Sequence, residues 1–125
     1  MIHLWGNSRI IEESDDLIVV IANAAGGDGA SSLHTHNRHD NGIVVVSGQC
    51  CVSYPDSANV MHSETLHPGD HINFPAGTPH RLQFLFPAKI IEWYMPIAGE
   101  NGRATLADIQ RIEDGWAPRE LKAVG

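Results

Sequence analysis

Basic residues are scarce in this sequence, and none of them form a cluster. The 125 residues include 8 Lys and Arg against 15 Asp and Glu, which gives a formal net charge of -7 at pH 7. Proteins that bind the phosphate backbone of nucleic acids usually concentrate Lys and Arg on one face. We therefore expect no nucleic-acid partner.

Long hydrophobic runs are also missing. No stretch of the sequence approaches the about 20 apolar residues that a membrane-spanning helix needs. Residues 1–5 contain neither a basic segment nor the start of the apolar run of about 7–15 residues that marks a secretory signal. We expect a cytoplasmic protein with no membrane partner.

Cysteine occurs only twice, at the adjacent positions Cys50 and Cys51. Neighbouring side chains on a strand point to opposite faces of a sheet, which is unsuitable geometry for a disulfide between them. The sequence therefore predicts two reduced thiols, and no feature of the sequence marks either thiol as an activated nucleophile.

Turn-forming residues, by contrast, recur at short intervals, with β-branched or aromatic runs between them. This pattern predicts an all-β sandwich or barrel. The predicted strands are 17–22, 43–46, 50–54, 71–74, 81–86 and 89–95. The length and the globular composition, with 42% hydrophobic residues, predict one domain over residues 1–125, with a barrel over about 10–97.

The pattern changes near the C-terminus. Leu106, Ile109 and Ile112 recur at helical spacing, and Trp116 lies one turn further on. We predict a short C-terminal helix over about 104–117 that packs against the barrel.

Histidine is abundant, with eight residues. His34 and His36 are two apart, so on an extended chain both imidazoles face the same way. His80 opens a strand after the turn at residues 75–77. Three histidines from two strands can meet inside a barrel, which predicts a metal site. We expect His39 and the two remaining histidines in turn-rich stretches, His62 and His67, to be surface residues.

These spacings resemble the two motifs of the cupin family, G-x5-H-x-H-x3-4-E-x6-G and G-x5-P-x-G-x2-H-x3-N. The matching residues are His34, His36 and Gly48 in the first motif, and Gly69, Pro75, Gly77 and His80 in the second. The resemblance implies a cupin-type jelly-roll β-barrel. It also implies one divalent metal ion (Fe, Mn, Zn, Ni or Co) that His34, His36 and His80 hold.

The sequence departs from the first motif at the family's glutamate. Asn41 stands at that position, with the family's six-residue spacing to Gly48. An amide oxygen is a neutral and weaker ligand than a carboxylate. Either Asn41 completes the metal site or, through a shift in register, Asp40 does. The spacing favours Asn41, because a slip of one residue turns every side chain of a strand to its other face.

A closer resemblance is to the cupin module of type II mannose-6-phosphate isomerases. The segments that carry it are residues 5–6, 43–48, 75–82, 90–92 and 108–114. This resemblance implies aldose–ketose isomerisation of a sugar phosphate. Alternation from His80 turns Arg81 outward, where it is a candidate phosphate ligand at the rim. Glu92, on the last long strand, is the candidate base.

Three hypotheses about function follow. The first is a metal-dependent enzyme that acts on a small polar metabolite, with sugar-phosphate isomerisation as its most specific form. The second is a three-histidine non-haem iron dioxygenase, which the neutral Asn41 favours. The third is a cupin that binds a sugar or another small molecule without catalysis. In each case we expect a homodimer.

Overall fold

The computed structural model describes residues 2–3, 6–27, 29–30, 33–36, 38–97 and 109–113, and the side chains of residues 6–27, 35–36 and 38–97. All regular structure in these residues is β-strand, so the all-β prediction is confirmed. The strands are β1 (Ile2–His3), β2 (Gly6–Glu13), β3 (Ile18–Ala24), β4 (Gly29–Ala30), β5 (Leu33–His36), β6 (His39–Ser47), β7 (Cys50–Pro55), β8 (Met61–Leu66), β9 (His71–Phe74), β10 (Arg81–Phe84), β11 (Ala88–Pro96) and β12 (Ile109–Glu113).

The strands form two main sheets with antiparallel pairing throughout. The large sheet has six strands in the order β1-β2-β3-β11-β6-β9, and the small sheet has four in the order β4-β10-β7-β8. A third, two-stranded sheet joins β12 to β5. The crossovers between the two main sheets make a jelly roll, as predicted. Among the residues described, no helix is long and apolar enough to cross a membrane.

The six predicted strands all form, with bounds that differ by a few residues. They became β3, β6, β7, β9, β10 and β11. In the large sheet, β-branched residues face one another across strands, since Ile91 of β11 pairs with Ile21 on one side and Val44 on the other. The sequence reading missed β2 and β8, which carry mostly polar or charged residues.

The core lies between the inner faces of the two main sheets. Its members are buried apolar side chains from both sheets, including Ile43, Val45, Val52, Leu66, Leu82, Phe84 and Ile90. A smaller cluster of Ile18, Val20 and Tyr94 continues it toward the other end of β11. Alternate residues of β11 therefore reach inward, and these are Ile90, Glu92 and Tyr94.

The predicted C-terminal helix is wrong over residues 109–113. There the chain forms β12, which pairs antiparallel with β5 so that Arg111 lies opposite His34. A register shift between Arg111 and Glu113 interrupts the two-residue alternation of this strand. The three-residue spacing of Ile109 and Ile112 therefore looked helical and not like a strand. Pairing with β5 overrides this local helical pattern. The rest of the predicted helix, residues 104–108 and 114–117, lies outside the described residues.

The two cysteines are free thiols, as predicted. Cys50 is completely buried in the core, whereas Cys51 is half-buried on the other face of β7. Burial raises the pKa of the Cys50 thiol, and the charge of Glu92 raises it further. A high thiol pKa leaves little thiolate at neutral pH, so Cys50 is an inert core residue.

Candidate functional site

The turn at residues 75–77 ties together the strands that carry the candidate ligands. The amide of Gly77 donates to the carbonyl oxygen of His36 on β5 at 2.9 Å. The amide of Ala76 donates to the Asp40 carboxylate on β6 at 2.8 Å. Gly77 has a φ of +85°, which glycine adopts without the strain that a Cβ brings. The turn thus fixes β5 and β6 relative to His80, three residues later.

His36, Asn41 and His80 come together inside the barrel. The ring centroids of His36 and His80 are 5.7 Å apart. Nε2 of His80 lies 2.8 Å from Oδ1 of Asn41. All three side chains are nearly excluded from solvent, with 2–4% of their surface exposed. His36 on β5, Asn41 on β6 and His80 directly before β10 therefore converge on one buried point.

Two backbone carbonyls fix the orientation of this pair. Nδ2 of Asn41 donates to the carbonyl oxygen of Trp93 at 3.1 Å, so Oδ1 must face His80. Nδ1 of His80 lies 3.0 Å from the carbonyl oxygen of Thr78. Both ring nitrogens of His80 thus face an acceptor oxygen.

A neutral histidine satisfies only one of those two contacts, because it carries a single N–H. With the proton on Nδ1, the Nε2 lone pair faces the Asn41 oxygen, and two acceptors at 2.8 Å repel unless a proton lies between them or a cation binds both. Either a second proton or a metal cation removes this repulsion. An N–H donor on Nδ1 and an open Nε2 is the usual state of a metal-bound histidine. The residues present therefore fit a divalent ion.

Aromatic rings hold the two histidines in place. The Phe74 ring stacks on His80 with centroids 4.2 Å apart and an interplanar angle of 1°. Tyr94 meets His36 edge to face at 5.1 Å. Such contacts stabilise one ring orientation, which a metal site requires before the ion arrives.

A buried carboxylate lies one hydrogen bond further inside. Tyr94 donates its hydroxyl proton to Oε2 of Glu92 at 3.0 Å, and the Tyr94 oxygen also has a hydrogen bond with the Asn41 side chain. Burial raises the pKa of Glu92 to about 7, against the hydrogen bond from Tyr94, which lowers it. Burial and the Glu92 charge raise the pKa of Tyr94. Glu92 thus points inward and connects to Asn41 through Tyr94. The sequence reading missed Tyr94, although it lies two residues from Glu92 on the same face.

His34 and Asp40 are the two other candidate ligands. The backbone of His34 lies on β5, two residues before His36, and its side chain lies outside the described residues. Among the side chains that are described, no three from His, Cys, Asp and Glu form a group suited to a metal ion. Asp40 binds the turn amide of Ala76, while Asn41 is the residue that contacts His80.

Two expectations about exposure are wrong. Arg81 points away from Leu82 as alternation requires, but it is only 4% exposed, so it does not lie on an open rim. His39 is buried as well, with 3% exposed, because it shares the inward parity of Asn41 on β6. His62 and His67 are exposed as expected, with His62 bound to Asp56.

Known proteins resemble this chain at both levels, sequence and structure. A germin-like protein of Arabidopsis thaliana is 39% identical over 54 residues, 43% of this chain but only 26% of that protein. The chain therefore aligns with about a quarter of that relative's length. The structure of KdgF from Halomonas sp. has 26% identity and a TM-score of 0.68, and the match covers 77% of this chain and 84% of KdgF.

An oxalate decarboxylase from Bacillus subtilis has the same fold, with a TM-score of 0.72 at 20% identity. That match covers 98% of this chain and 33% of the decarboxylase. The family model for the cupin domain matches residues 20–94. Those residues include Asn41, His80, Glu92 and Tyr94, and they make up more than half of the sequence. This chain belongs to the cupin family.

Proposed function

We propose that this cupin is a metal-dependent enzyme that acts on a small polar metabolite. The ion is held by His34, His36 and His80, with the Asn41 amide oxygen as a fourth ligand. One observation carries the proposal. Nε2 of His80 faces Oδ1 of Asn41 at 2.8 Å, while Thr78 and Trp93 fix both groups in orientations that suit a cation bound to both atoms.

The reaction that the remaining residues support best is proton transfer next to a carbonyl group. When bound, a divalent ion polarises a carbonyl oxygen and stabilises negative charge that develops there. Glu92 is the base, because a carboxyl with a pKa near 7 is partly ionised at neutral pH and takes up a proton readily. Tyr94 orients the carboxylate through its hydroxyl. Burial of both groups excludes water from the site.

The most specific form of this proposal is aldose–ketose isomerisation of a sugar phosphate. Its support is the sequence likeness to type II mannose-6-phosphate isomerases and the inward position of Glu92. The burial of Arg81 takes away the exposed rim position that a phosphate ligand needs. A phosphate-binding role for Arg81 therefore requires the substrate to reach the covered face of β10 that lies opposite Leu82.

Oxygen chemistry at iron is a second candidate, and one observation favours it. The group in contact with His80 is the neutral amide of Asn41, and a neutral ligand set leaves an iron ion its full charge for binding an anionic substrate and dioxygen. Glu92 then has no part in binding the ion, because its carboxylate accepts from Tyr94.

One experiment separates these functions. Protein purified without added metal is analysed for bound metals, stripped, and reloaded with Mn²⁺ or Fe²⁺. Isomerisation of mannose 6-phosphate under nitrogen that Glu92→Gln abolishes is the expected result. Oxygen uptake that requires Fe²⁺ and survives Glu92→Gln supports the second candidate instead. Tight metal binding with neither activity leaves a binding module, and failure to bind any divalent ion overturns the metal site itself.

A further inference from the structure

The small sheet ends in an open edge at β8. In the strand order β4-β10-β7-β8, β7 pairs with β8 along all of its residues, from Met61 to Leu66. Within the described residues, no strand pairs with the other edge of β8. Every second residue of a strand directs its N–H and C=O toward a given edge, so half of the β8 residues present hydrogen-bonding groups there. All residues of β8 except Leu66 are exposed.

The other strands of the described sheets are paired on both sides, short or interrupted. The central strand β6 lies between β11 and β9, and the Trp93 indole of β11 lies so close to Gly42 that a Cβ there would overlap it. The other ends of the two main sheets, β1, β4 and β9, have only two, two and four residues. The part of β2 beyond β1 has a register shift between Ile10 and Glu12, which hinders the addition of a strand. The edge of β8 is therefore the longest regular edge of these sheets.

The usual protection of sheet edges is largely missing from β8. Natural edge strands often carry Pro, Lys, a bulge or an inward-pointing charge. The pairing of β8 with β7 has no register shift, and the strand contains neither Pro nor Lys. Glu64 is the one charge, and the Tyr54 hydroxyl of β7 donates to its Oε2 at 2.7 Å, which turns the carboxylate toward β7 and away from the open edge. Such an edge suits strand addition, in which an extended peptide pairs with it as a further strand.

The charge around β8 indicates a basic partner. Residues 50–70, which include β7, β8 and the turns beside them, contain the carboxylates of Asp56, Glu64 and Asp70 and no Lys or Arg. The Asp56 carboxylate lies 2.6 Å from the His62 ring, so its charge is also held beside this strand. A second copy of this acidic chain would add like charge to the edge, whereas a basic segment neutralises it.

The side chains of β8 define the order of residues in such a partner. An antiparallel partner strand places one residue directly opposite Glu64, with about 5 Å between the Cβ atoms, where Lys or Arg pairs with the carboxylate. Three residues later, the partner strand lies opposite Met61, which is 43% exposed beside Val60 at 56%. An apolar residue suits that position. The expected partner is therefore an extended segment in which an apolar residue follows a basic one at a distance of three.

We propose that the edge of β8 binds an extended basic segment of another protein by strand addition. Backbone hydrogen bonds to β8 hold the segment, Glu64 selects its basic residue, and Val60 and Met61 accept its apolar residue. None of these residues belongs to the metal centre, so the proposal does not depend on the function proposed above.

The first test removes the backbone bonds from the partner and leaves the protein unchanged. The probe is the fluorescein-labelled peptide Thr-Val-Lys-Val-Thr-Leu, which places its lysine opposite Glu64 and its leucine opposite Met61. Fluorescence anisotropy measures its dissociation constant. Two further peptides carry methyl groups on the backbone nitrogens of the even-numbered or the odd-numbered residues. One of them loses its hydrogen bonds to β8 and should bind about 100-fold more weakly, while the other should bind within about threefold of the probe.

The second test reverses a charge on the edge. Glu64→Lys should weaken binding of the probe by about tenfold, and a peptide with glutamate in place of its lysine should bind this variant better than the wild type. Glu13→Lys is the matched control, because it makes the same change of charge at an exposed position on β2. It should leave the dissociation constant within about twofold. Far-UV circular dichroism verifies that both variants are folded.

Four outcomes overturn the proposal. The first is a probe that does not bind at millimolar protein, and the second is a pair of methylated peptides that bind equally well. The third is equal weakening by Glu13→Lys and Glu64→Lys, which would reduce the interaction to net charge. The fourth is self-association in sedimentation velocity that Glu64→Lys alters and Glu13→Lys does not, because the edge would then pair with a second copy of the chain.

Discussion

The barrel interior has two halves that are equally buried but chemically opposite. Phe84 and Ile90 in the apolar half have no exposed surface, and His80 and Asn41 in the polar half have 2% and 3%. The same strands serve both, since β11 carries Ile90 into one half and Glu92 into the other. Apolar burial stabilises the fold, while burial of polar groups costs free energy unless they are paired. The site therefore rests on strands that the apolar half holds in place.

The largest expected effect is in the apolar half. Phe84→Ala should lower the free energy of unfolding by about 3–5 kcal/mol, because it removes a ring from a closely packed core. Metal affinity of the folded variant should stay within about threefold of the wild type. Urea denaturation and calorimetric titration measure the two quantities. Phe86→Ala, at a position that is 68% exposed, is the control and should change stability by under about 0.5 kcal/mol. A large loss of affinity in folded Phe84→Ala would break the division into two halves.

In the polar half, Glu92 should make stability depend on pH. Its pKa rises from 4.5 to about 7 on folding, so between those values the folded protein holds a proton that the unfolded chain has released. The contribution of Glu92 to the free energy of unfolding is therefore largest below about pH 4.5. It falls by about 3 kcal/mol as the pH rises through 7. Glu92→Gln should remove this fall, and Glu13→Gln, at an exposed position, should retain it. Parallel pH profiles for wild type and Glu92→Gln would show that the carboxyl is not desolvated.

Metal binding should depend on His80 far more than on His39, although both are buried. His80 contacts Asn41 at the point where the candidate ligands converge. His80→Ala should weaken Mn²⁺ binding by about 100-fold or more, and His39→Ala by less than about fivefold. Calorimetric titration of metal-stripped protein measures both. Equal losses of affinity in the two variants would show that His80 is not the histidine that holds the ion.

The smallest effect concerns the register of β6. Asn41→Glu should tighten Mn²⁺ binding by about tenfold, because a carboxylate is a stronger ligand for a hard ion than an amide. Asn41→Gln is the control of equal length without the charge and should not tighten binding. Asp40→Asn should change affinity little, since Asp40 serves the Ala76 amide and an asparagine oxygen can replace it there. The opposite ranking, with Asp40→Asn the weaker binder, would show that Asp40 is the ligand.

The parts of the fold that local patterns determine were predictable. Alternating β-branched runs located β6, β7 and β9, and turn residues located the reversal before His80. The spacing of Asn41 from Gly48 placed its side chain inward, where the structure has it. Glu92 was identified as a candidate, but its face followed only from the pairing of β11 with β3 and β6.

The failures arose where distant parts of the chain decide the outcome. The strand β12 exists because β5 offers a partner, which no local spacing of Ile109 and Ile112 reveals. Alternation places Arg81 on the face of β10 opposite Leu82, but whether a side chain on that face is covered depends on what packs over the sheet. His39 looked like a turn residue, and β6 begins at that position. Strand ends are the least certain feature of a local reading.

The close contact of Trp93 with Gly42 restricts how this sequence can change. A Cβ at position 42 overlaps the indole, so Gly42→Ala is harmful as long as Trp93 is present. If Trp93 is first replaced by a smaller residue such as valine, position 42 becomes free to accept other side chains. The two positions are therefore epistatic, and the order of substitutions matters. Related sequences should pair glycine with tryptophan or replace both, and position 42 should seldom change alone.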